Sequence, residues 1–291
     1  MSTTFGATST AEEVTEGLDL TGTTWLVTGC NSGLGNETVR VLALRGGRII
    51  GLARTKEKAD HALSALGADG VGVACDLEDL ASVRAAVTTV SGLGPLDGII
   101  ANAGIMALPK LEQVHGIERQ LFTNHVGHFV LVTGLVDQLT PTGRVVMLSS
   151  GAHHYAERGM ELDNLSGETD YAPWRAYGRS KLANILFARS LAHRFGTTGR
   201  TANSVHPGVI ETNLGRHVED REGMYDRLRH LLKSIGAGAA TQVYVATHPS
   251  LAEVNGVYFS DCTPTETRAE GRDDDLAAAL WTATEELVQG I

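Results

Sequence analysis

Thr28-Gly29-Cys30-Asn31-Ser32-Gly33-Leu34-Gly35 stands between an apolar run, Thr24–Thr28, and a segment, Leu34–Leu44, with Val39, Leu42 and Ala43 at helical spacing. Glycine is needed where a chain turns sharply and where backbone must approach a ligand, and the free amides opening a helix favour negative charge. A glycine loop between strand and helix therefore reads as a phosphate cradle. In a chain with 34 glycines, the same letters outside that context would be a plain turn. Gly29, Asn31, Ser32, Gly33, Leu34 and Gly35 are its candidate contacts.

Working outward, further strand-like runs lie at Arg48–Ala53, Gly70–Cys75, Gly98–Ala101, Arg144–Ser149, Thr201–His206 and Val257–Ser260. Most are continuously hydrophobic, as strands covered on both faces are. Helix-length segments fall between them at Leu80–Val90, Leu111–Leu139, Tyr177–Phe195 and Ala239–Thr247. This alternation predicts an α/β protein with a doubly wound, seven-stranded parallel sheet. No linker or repeat divides the chain, so one domain is expected over 20–291, behind a polar N-terminal extension, 1–19. Gly151–Arg175 and Glu211–Ser234 break the alternation. Both follow strands, on the carboxyl edge where open α/β sheets bind ligands. The second of them reads either as a lid, with Leu214–Leu232 over the site, or as a solvated charged helix face.

A formal charge of −10 excludes nucleic acid as a partner, because phosphate backbones need a basic face. Cys30, Cys75 and Cys262 are too few and too scattered for a disulfide framework or a zinc site, and read as buried small residues. No carboxylate/histidine cluster has ligand spacing, so no metal is expected. The first eighteen residues lack the basic flank and apolar core of a secretory signal, and no run of about eighteen apolar residues occurs. A cytoplasmic protein acting on a small molecule, off the membrane, is the expectation.

The second strand ends Gly51-Leu52-Ala53-Arg54-Thr55-Lys56, with Lys58 close by. Sheets of this kind that bind NAD usually place a carboxylate here for the ribose diol, and that carboxylate repels a 2′-phosphate. Arg54 instead can grip a phosphate through two parallel hydrogen bonds, so NADP(H) is favoured over NAD(H). A solvated surface arginine is the alternative. Tyr177 and Lys181 lie four apart, on one face of a helix one turn apart. The pair alone is common; it gains meaning from Ser149-Ser150 upstream and Asn124 on the preceding helix.

Together these motifs resemble the short-chain dehydrogenase/reductase family, over a stretch from about Leu20 to the C-terminus. The spacing Gly29-x-x-x-Gly33-x-Gly35 is similar to the family's main subfamily. Asn124-His125-Val126-Gly127-His128-Phe129, Ser149-Ser150-Gly151-Ala152-His153-His154, Lys181-Leu182-Ala183-Asn184 and Tyr258-Phe259-Ser260-Asp261-Cys262 resemble its branch of retinol dehydrogenases and WW-domain oxidoreductases. A C-terminal helix around Leu280-Trp281 and the wide gap from Ser150 to Tyr177 fit that branch too. The branch's animal retinol dehydrogenases carry an N-terminal membrane segment that this chain lacks, so retinoid specificity is not inherited. No WW module precedes the fold either.

The resemblance implies a single-domain Rossmann fold and an NADP(H)-dependent oxidoreductase interconverting an alcohol and a ketone or aldehyde. It implies Asn124, Ser150, Tyr177 and Lys181 as the catalytic set. Ser150, or Ser149 in its place, would hold the reacting oxygen, and Asn124 would hold a water relayed to Lys181, unless it only kinks its helix. Asp76 and Leu77 match the adenine pocket. Asn102, Ala103 and Gly104 match the Asn-Ala-Gly signature, with Asn102 bracing the sheet edge. Pro207, Gly208, Val209 and Thr212 would pass over the nicotinamide, which Tyr177 and Lys181 would also meet. His125, His128, His206 and His248 read as packing or surface residues. His153, His154, Tyr155 and Trp174, with Tyr171, would stand near the substrate mouth and suggest an apolar or aromatic substrate, unless they only anchor a loop.

The chemistry suits a phenol. Tyrosine titrates near 10, about three units above neutrality, or roughly 4 kcal/mol. A lysine charge about 4 Å away contributes on the order of 4 kcal/mol at an effective dielectric near 20, which predicts a lowered Tyr177 pKa. Reduction of a carbon–carbon double bond is the alternative within enzymes. A silent NADPH-binding regulator or an interaction scaffold would lie outside them; the first typically lacks the tyrosine or lysine. The apolar face of Tyr177–Phe195 offers a helix-pair homodimer.

Overall fold

The computed structural model describes residues 5–291. Strands β1 (Thr24–Thr28), β2 (Arg48–Ala53), β3 (Gly70–Ala74), β4 (Leu96–Ala101), β5 (Leu139–Leu148), β6 (Thr201–His206), β7 (Tyr258–Ser260) and β8 (Thr263–Pro264) form one sheet. Its order is β8-β7-β6-β5-β4-β1-β2-β3, with the reversal between β1 and β4. All pairings are parallel except β7 with β8. The predicted seven strands are thus joined by an eighth, antiparallel one. It was illegible because it is two residues long and contains Pro264, which cannot donate to a ladder and suits an edge. Asp261 and Cys262, both at positive φ, make the tight turn into it.

Helices α1 (Ala11–Val14), α2 (Gly33–Leu44), α3 (Lys56–Ala65), α4 (Leu80–Ser91), α5 (Gly127–Leu135), α6 (Pro173–Phe195), α7 (Arg221–Arg227), α8 (Ile235–Thr247) and α9 (Asp274–Gln289) cover the faces. The single helix expected over Leu111–Leu139 is not there. Gln113–Val114 and Ile117–Glu118 form a hairpin, turned by His115 and Gly116 at positive φ, and Leu139 already belongs to β5. What remains is helical from Arg119, with a π turn at Phe122–Val126 running into α5. Helix α3 escaped the sequence reading because it buries only Ala59, Ala62 and Leu63; Thr55 caps it by accepting from the Lys58 amide.

Two ends of the chain are tied down. Thr10 and Glu13 make a reciprocal capping box on α1, whose Ala11 and Val14 join the core beside Ala239 and Val243 of α8. Helix α9 lies on α6: Trp281 packs among Phe129, Phe187 and Phe195, and Leu280 meets Leu182 and Leu186. The Ser190 hydroxyl donates to the Ala277 carbonyl at 2.9 Å, and the Arg194 guanidinium lies 3.8 Å over the Trp281 ring. The apolar face of α6 offered above for a helix-pair homodimer is met here by α9 of the same chain.

Trp281→Ala should cost about 3–5 kcal/mol, because it empties a site that three phenylalanines line. Denaturant unfolding measures it, and a loss under about 1 kcal/mol would mean α9 is only loosely seated.

Candidate functional site

The carboxyl ends of β1, β2, β4, β5 and β6 open into one cleft of about 1180 Å3. Gly29, Asn31, Ser32, Gly33 and Leu34 form its floor at one side. Gly29 and Gly33 sit at φ +68° and +51°, a region that side chains disfavour. Gly35 does not reach the cleft. A Cβ there would lie 2.2 Å from the Gly29 carbonyl oxygen and 2.6 Å from Asn102 Nδ2, so this glycine lets α2 press onto the sheet edge. Asn102 holds that edge: its amide donates to Thr28 Oγ1 and its Nδ2 to the Thr28 carbonyl, each at 2.9 Å. Ala103 and Gly104 complete the floor, and Asp76 and Leu77 its far wall. This cradle of small residues and helix-opening amides fits a dinucleotide.

Tyr177 and Lys181 face the cleft from α6. Pro173 sets the first turn of that helix, where a missing amide costs nothing. Lys181 Nζ lies 5.6 Å from the Tyr177 ring centre and donates to the Leu148 carbonyl at 3.1 Å. Ser149 is spent on structure, donating to the Lys181 carbonyl at 2.8 Å. Ser150 is the serine beside the Tyr177 phenol: both line the cleft, and its hydroxyl works to lower the phenol's pKa.

The lowered phenol pKa expected from Lys181 is not found. Burial raises Tyr177, the Ser150 hydroxyl works against the rise, and Tyr225 adds to it. Burial likewise lowers the Lys181 ammonium, to about 8. The gain expected of a lysine charge at a dielectric near 20 leaves out the burial of the two groups themselves, and desolvation of both undoes it.

Asn124 stands behind the cleft wall, within the π turn. Its Oδ1 accepts from the Ile105 amide at 2.8 Å, and its Nδ2 donates to the Ile105 carbonyl and to Ser180 Oγ, each at 2.9 Å. A Cβ on Gly104 would sit 2.9 Å from Asn124 Oδ1 and 3.6 Å from Lys181 Nζ, so the three meet at one point. His125 and His128 are buried, and burial lowers them to about 3 and about 4.

Pro207, Gly208, Val209 and Thr212 line the cleft, and Thr212 would touch any Cβ placed on Gly33 at 3.3 Å. His206 lines it as well, lowered to about 4 by burial and then by the Lys233 charge. Of the expected substrate-mouth residues, Tyr155 and Trp174 are present on the wall. His153 is not; it is 1% exposed, with Nδ1 bonded to the Ser150 carbonyl at 2.7 Å and Nε2 accepting the Arg268 amide at 3.3 Å. His154 stacks on His153, its ring 4.0 Å away, and lies outside the cleft. Tyr171 instead donates to the Leu108 carbonyl at 2.7 Å.

Residues 213–231 arch over the opening. Met224 and Tyr225 of α7 pack with Met106, Ala107 and Tyr177, flanked by Leu214, Leu228 and Trp174. Charged Arg221 and Glu222 share the same segment but lie outside the cleft, whereas Arg227 lines it, so the roof is mainly apolar within and charged without. Arg216, also on the cleft wall, went unnoticed in sequence because one arginine in a charged stretch carries no pattern. No helix among the described residues is long and apolar enough to cross a membrane, and none of their side chains cluster as a metal site.

A family profile described as short chain dehydrogenase matches residues 23–162. The chain is 38% identical to the chloroplastic short-chain dehydrogenase TIC 32 A of Brassica napus, over 99% of this chain and 95% of that one. It is 36% identical to human retinol dehydrogenase 14, over 92% and 86%. A crystal structure of an uncharacterised protein from Mycobacterium paratuberculosis superposes with a TM-score of 0.77 at 33% identity, covering 95% of this chain and 97% of that one.

Gly35→Ala forces a methyl group into the Gly29 carbonyl. It is expected to abolish dinucleotide binding and to destabilise the fold by about 1–3 kcal/mol. Nucleotide titration and a thermal melt check this; a variant that binds normally would show the α2–strand contact to be adjustable.

Proposed function

The chain belongs to the short-chain dehydrogenase/reductase family, in its retinol dehydrogenase-like branch, and on that premise we propose that it interconverts an alcohol and a ketone or aldehyde with NADP(H). The observation carrying this reading is the Tyr177 phenol, beside Ser150 and backed by Lys181, on the wall of a cleft that continues to the glycine loop. When bound, the nicotinamide supplies or accepts the hydride. The protein's own residues then manage the oxygen and its proton.

Ser150 and Tyr177 bracket the substrate oxygen. A buried phenol with a raised pKa is held protonated, which suits a proton donor to the alkoxide that forms as a carbonyl is reduced. The Lys181 ammonium stabilises the phenolate left behind. Asn124 clamps the Ile105 backbone and so fixes Gly104 against Lys181. Its main-chain carbonyl, which accepts from His128 Nδ1 at 2.9 Å, would hold the water relayed to Lys181. Ser149, with its proton on the Lys181 carbonyl, does not share the role of Ser150.

Arg54 supports the preference for NADP(H), since it lines the cleft at the end of β2 where a carboxylate would repel a 2′-phosphate. The opening above Tyr177 is walled by Met106, Trp174, Leu214, Met224, Leu228 and Leu231. An apolar or aromatic substrate follows from that lining.

An NADPH-oxidation screen across aldehydes, ketones and enones tests the reading. Turnover is expected with apolar carbonyls, and Tyr177→Phe should remove it while NADPH still binds; turnover confined to enone double bonds, or kept by the variant, would overturn it. A second expectation concerns pH. Burial lowers the Lys181 pKa to about 8, so its charge is present below that pH and lost above it. kcat/KM for carbonyl reduction should therefore fall above about pH 8, approaching tenfold per unit. Lys181→Arg should carry the break to higher pH, and a profile flat to about pH 10 would remove Lys181 from the mechanism.

A further inference from the structure

Four guanidinium groups line the same cleft; Arg119 and Arg227 are paired with Glu78 and Asp220, and the other two, Arg54 and Arg216, come from different parts of the fold. Arg54 directly follows β2, in the floor; Arg216 sits on the 3-10 turn Asn213–His217, in the roof. Thr212 caps that turn by accepting from the Leu214 amide and is the residue packed toward Gly33. The roof therefore crosses the glycine loop at Thr212 and brings Arg216, four residues on, to the Arg54 side. The Arg216 guanidinium is steadied by its own turn, with Nη1 donating to the Asn213 carbonyl at 3.0 Å and its other donors left over.

Neither arginine has a carboxylate partner within ion-pair distance among the described residues. Two carboxylates line this end, Asp76 and Glu78. Asp76 Oδ1 accepts from the Glu78 amide at 3.1 Å, and Glu78 is committed: both oxygens accept from Arg119, at 3.1 and 2.9 Å, and one also from the Thr123 hydroxyl at 3.1 Å. Arg119 is neutralised further by Glu112. Two unpaired cations facing one groove repel each other, and Arg216 is disfavoured in its charged form by burial first and by Arg54 next. A protein retains such an arrangement at a cost, which a dianion placed between the two would reverse. Lys58, on the same wall, adds a third positive charge.

We propose that Arg216 is the second half of a clamp on the cofactor's 2′-phosphate, closing from the roof onto a phosphate that Arg54 holds from below. This deepens the NADP(H) reading above and rests on it. The clamp joins cofactor choice to the roof of the substrate pocket, because the segment bearing Arg216 continues into Met224 and Tyr225 beside Tyr177. NADP(H) therefore draws down the wall that the substrate meets, and NAD(H), lacking the phosphate, leaves that wall unanchored.

The test is a titration of the full-length protein with NADPH, NADH, 2′,5′-ADP and 5′-AMP, for wild type, Arg54→Ala, Arg216→Ala, Arg216→Lys and the double alanine variant, with melting curves as a check on folding. Wild type should prefer NADPH and 2′,5′-ADP. Arg216→Ala should weaken those two by about 10- to 100-fold, leaving NADH and 5′-AMP within about twofold. Arg216→Lys should fall between, and the double variant should lose less than the product of the single losses, since either arginine alone grips the phosphate poorly. If wild type binds NADPH no better than NADH, the cofactor reading itself fails. If wild type prefers NADPH and Arg216→Ala keeps that preference, or weakens all four ligands alike, the clamp is wrong and the cofactor reading stands.

Discussion

The side-chain hydroxyl of Thr28 is the point on which the two halves of the cleft are hung. It accepts from the amides of Asn102 and Ala103, each at 2.9 Å, and lies 2.9 Å from His128 Nε2. With both lone pairs taken by donors that cannot do otherwise, its own proton must go to His128, so that ring carries its hydrogen on Nδ1. Nδ1 then donates to the Asn124 carbonyl at 2.9 Å. The tautomer follows from counting donors, and the low pKa that burial gives His128 keeps it neutral so the direction holds. One oxygen at the end of the central strand thus aligns the β4 edge, the floor under the cofactor and the π turn that carries Asn124.

From that node the positioning propagates by short steps. Asn124 grips Ile105, Ile105 follows Gly104, and Gly104 leaves just enough room for Lys181. Lys181 reaches back across the sheet to Leu148, which ends β5, and Ser149 and Ser150 follow directly. Asn184, one turn further along α6, donates to the same Leu148 carbonyl at 2.9 Å. Helix α6 is therefore fixed to the sheet end by two side chains, and the phenol is placed by the backbone rather than by its own contacts.

Much of this was legible because the signals are local. A glycine loop between a strand and a helix, an arginine at a strand end, and a tyrosine and lysine one turn apart are all short-range patterns, and the parallel sheet announces itself in continuous apolar runs. What escaped has physical causes as well. The hairpin at Gln113–Glu118 lies in a stretch whose apolar spacing suits a helix, and only the left-handed pair His115-Gly116 breaks it. The pKa of Tyr177 was misjudged because burial depends on Met224 and Tyr225, more than forty residues downstream, whose packing no local pattern reports. His153 looked like a mouth residue by position, yet a 3-10 turn at Gly151–Tyr155 rotates it inward.

The roof segment leaves the sheet and returns to nearly the same place. Val209 and Leu232 form a parallel bridge, the Lys233 amide donates to the Val209 carbonyl at 2.9 Å, and the Lys233 side chain pairs with Asp261. A loop whose two ends are fastened together adds little closure entropy when its length changes. Its middle can therefore change in length at little cost to the fold while α6, β5 and the glycine loop keep their places. The fold thus separates the elements that hold the reacting groups from the segment that shapes the opening above them, and joins the two through a backbone bridge at Val209 that does not depend on the side chains between.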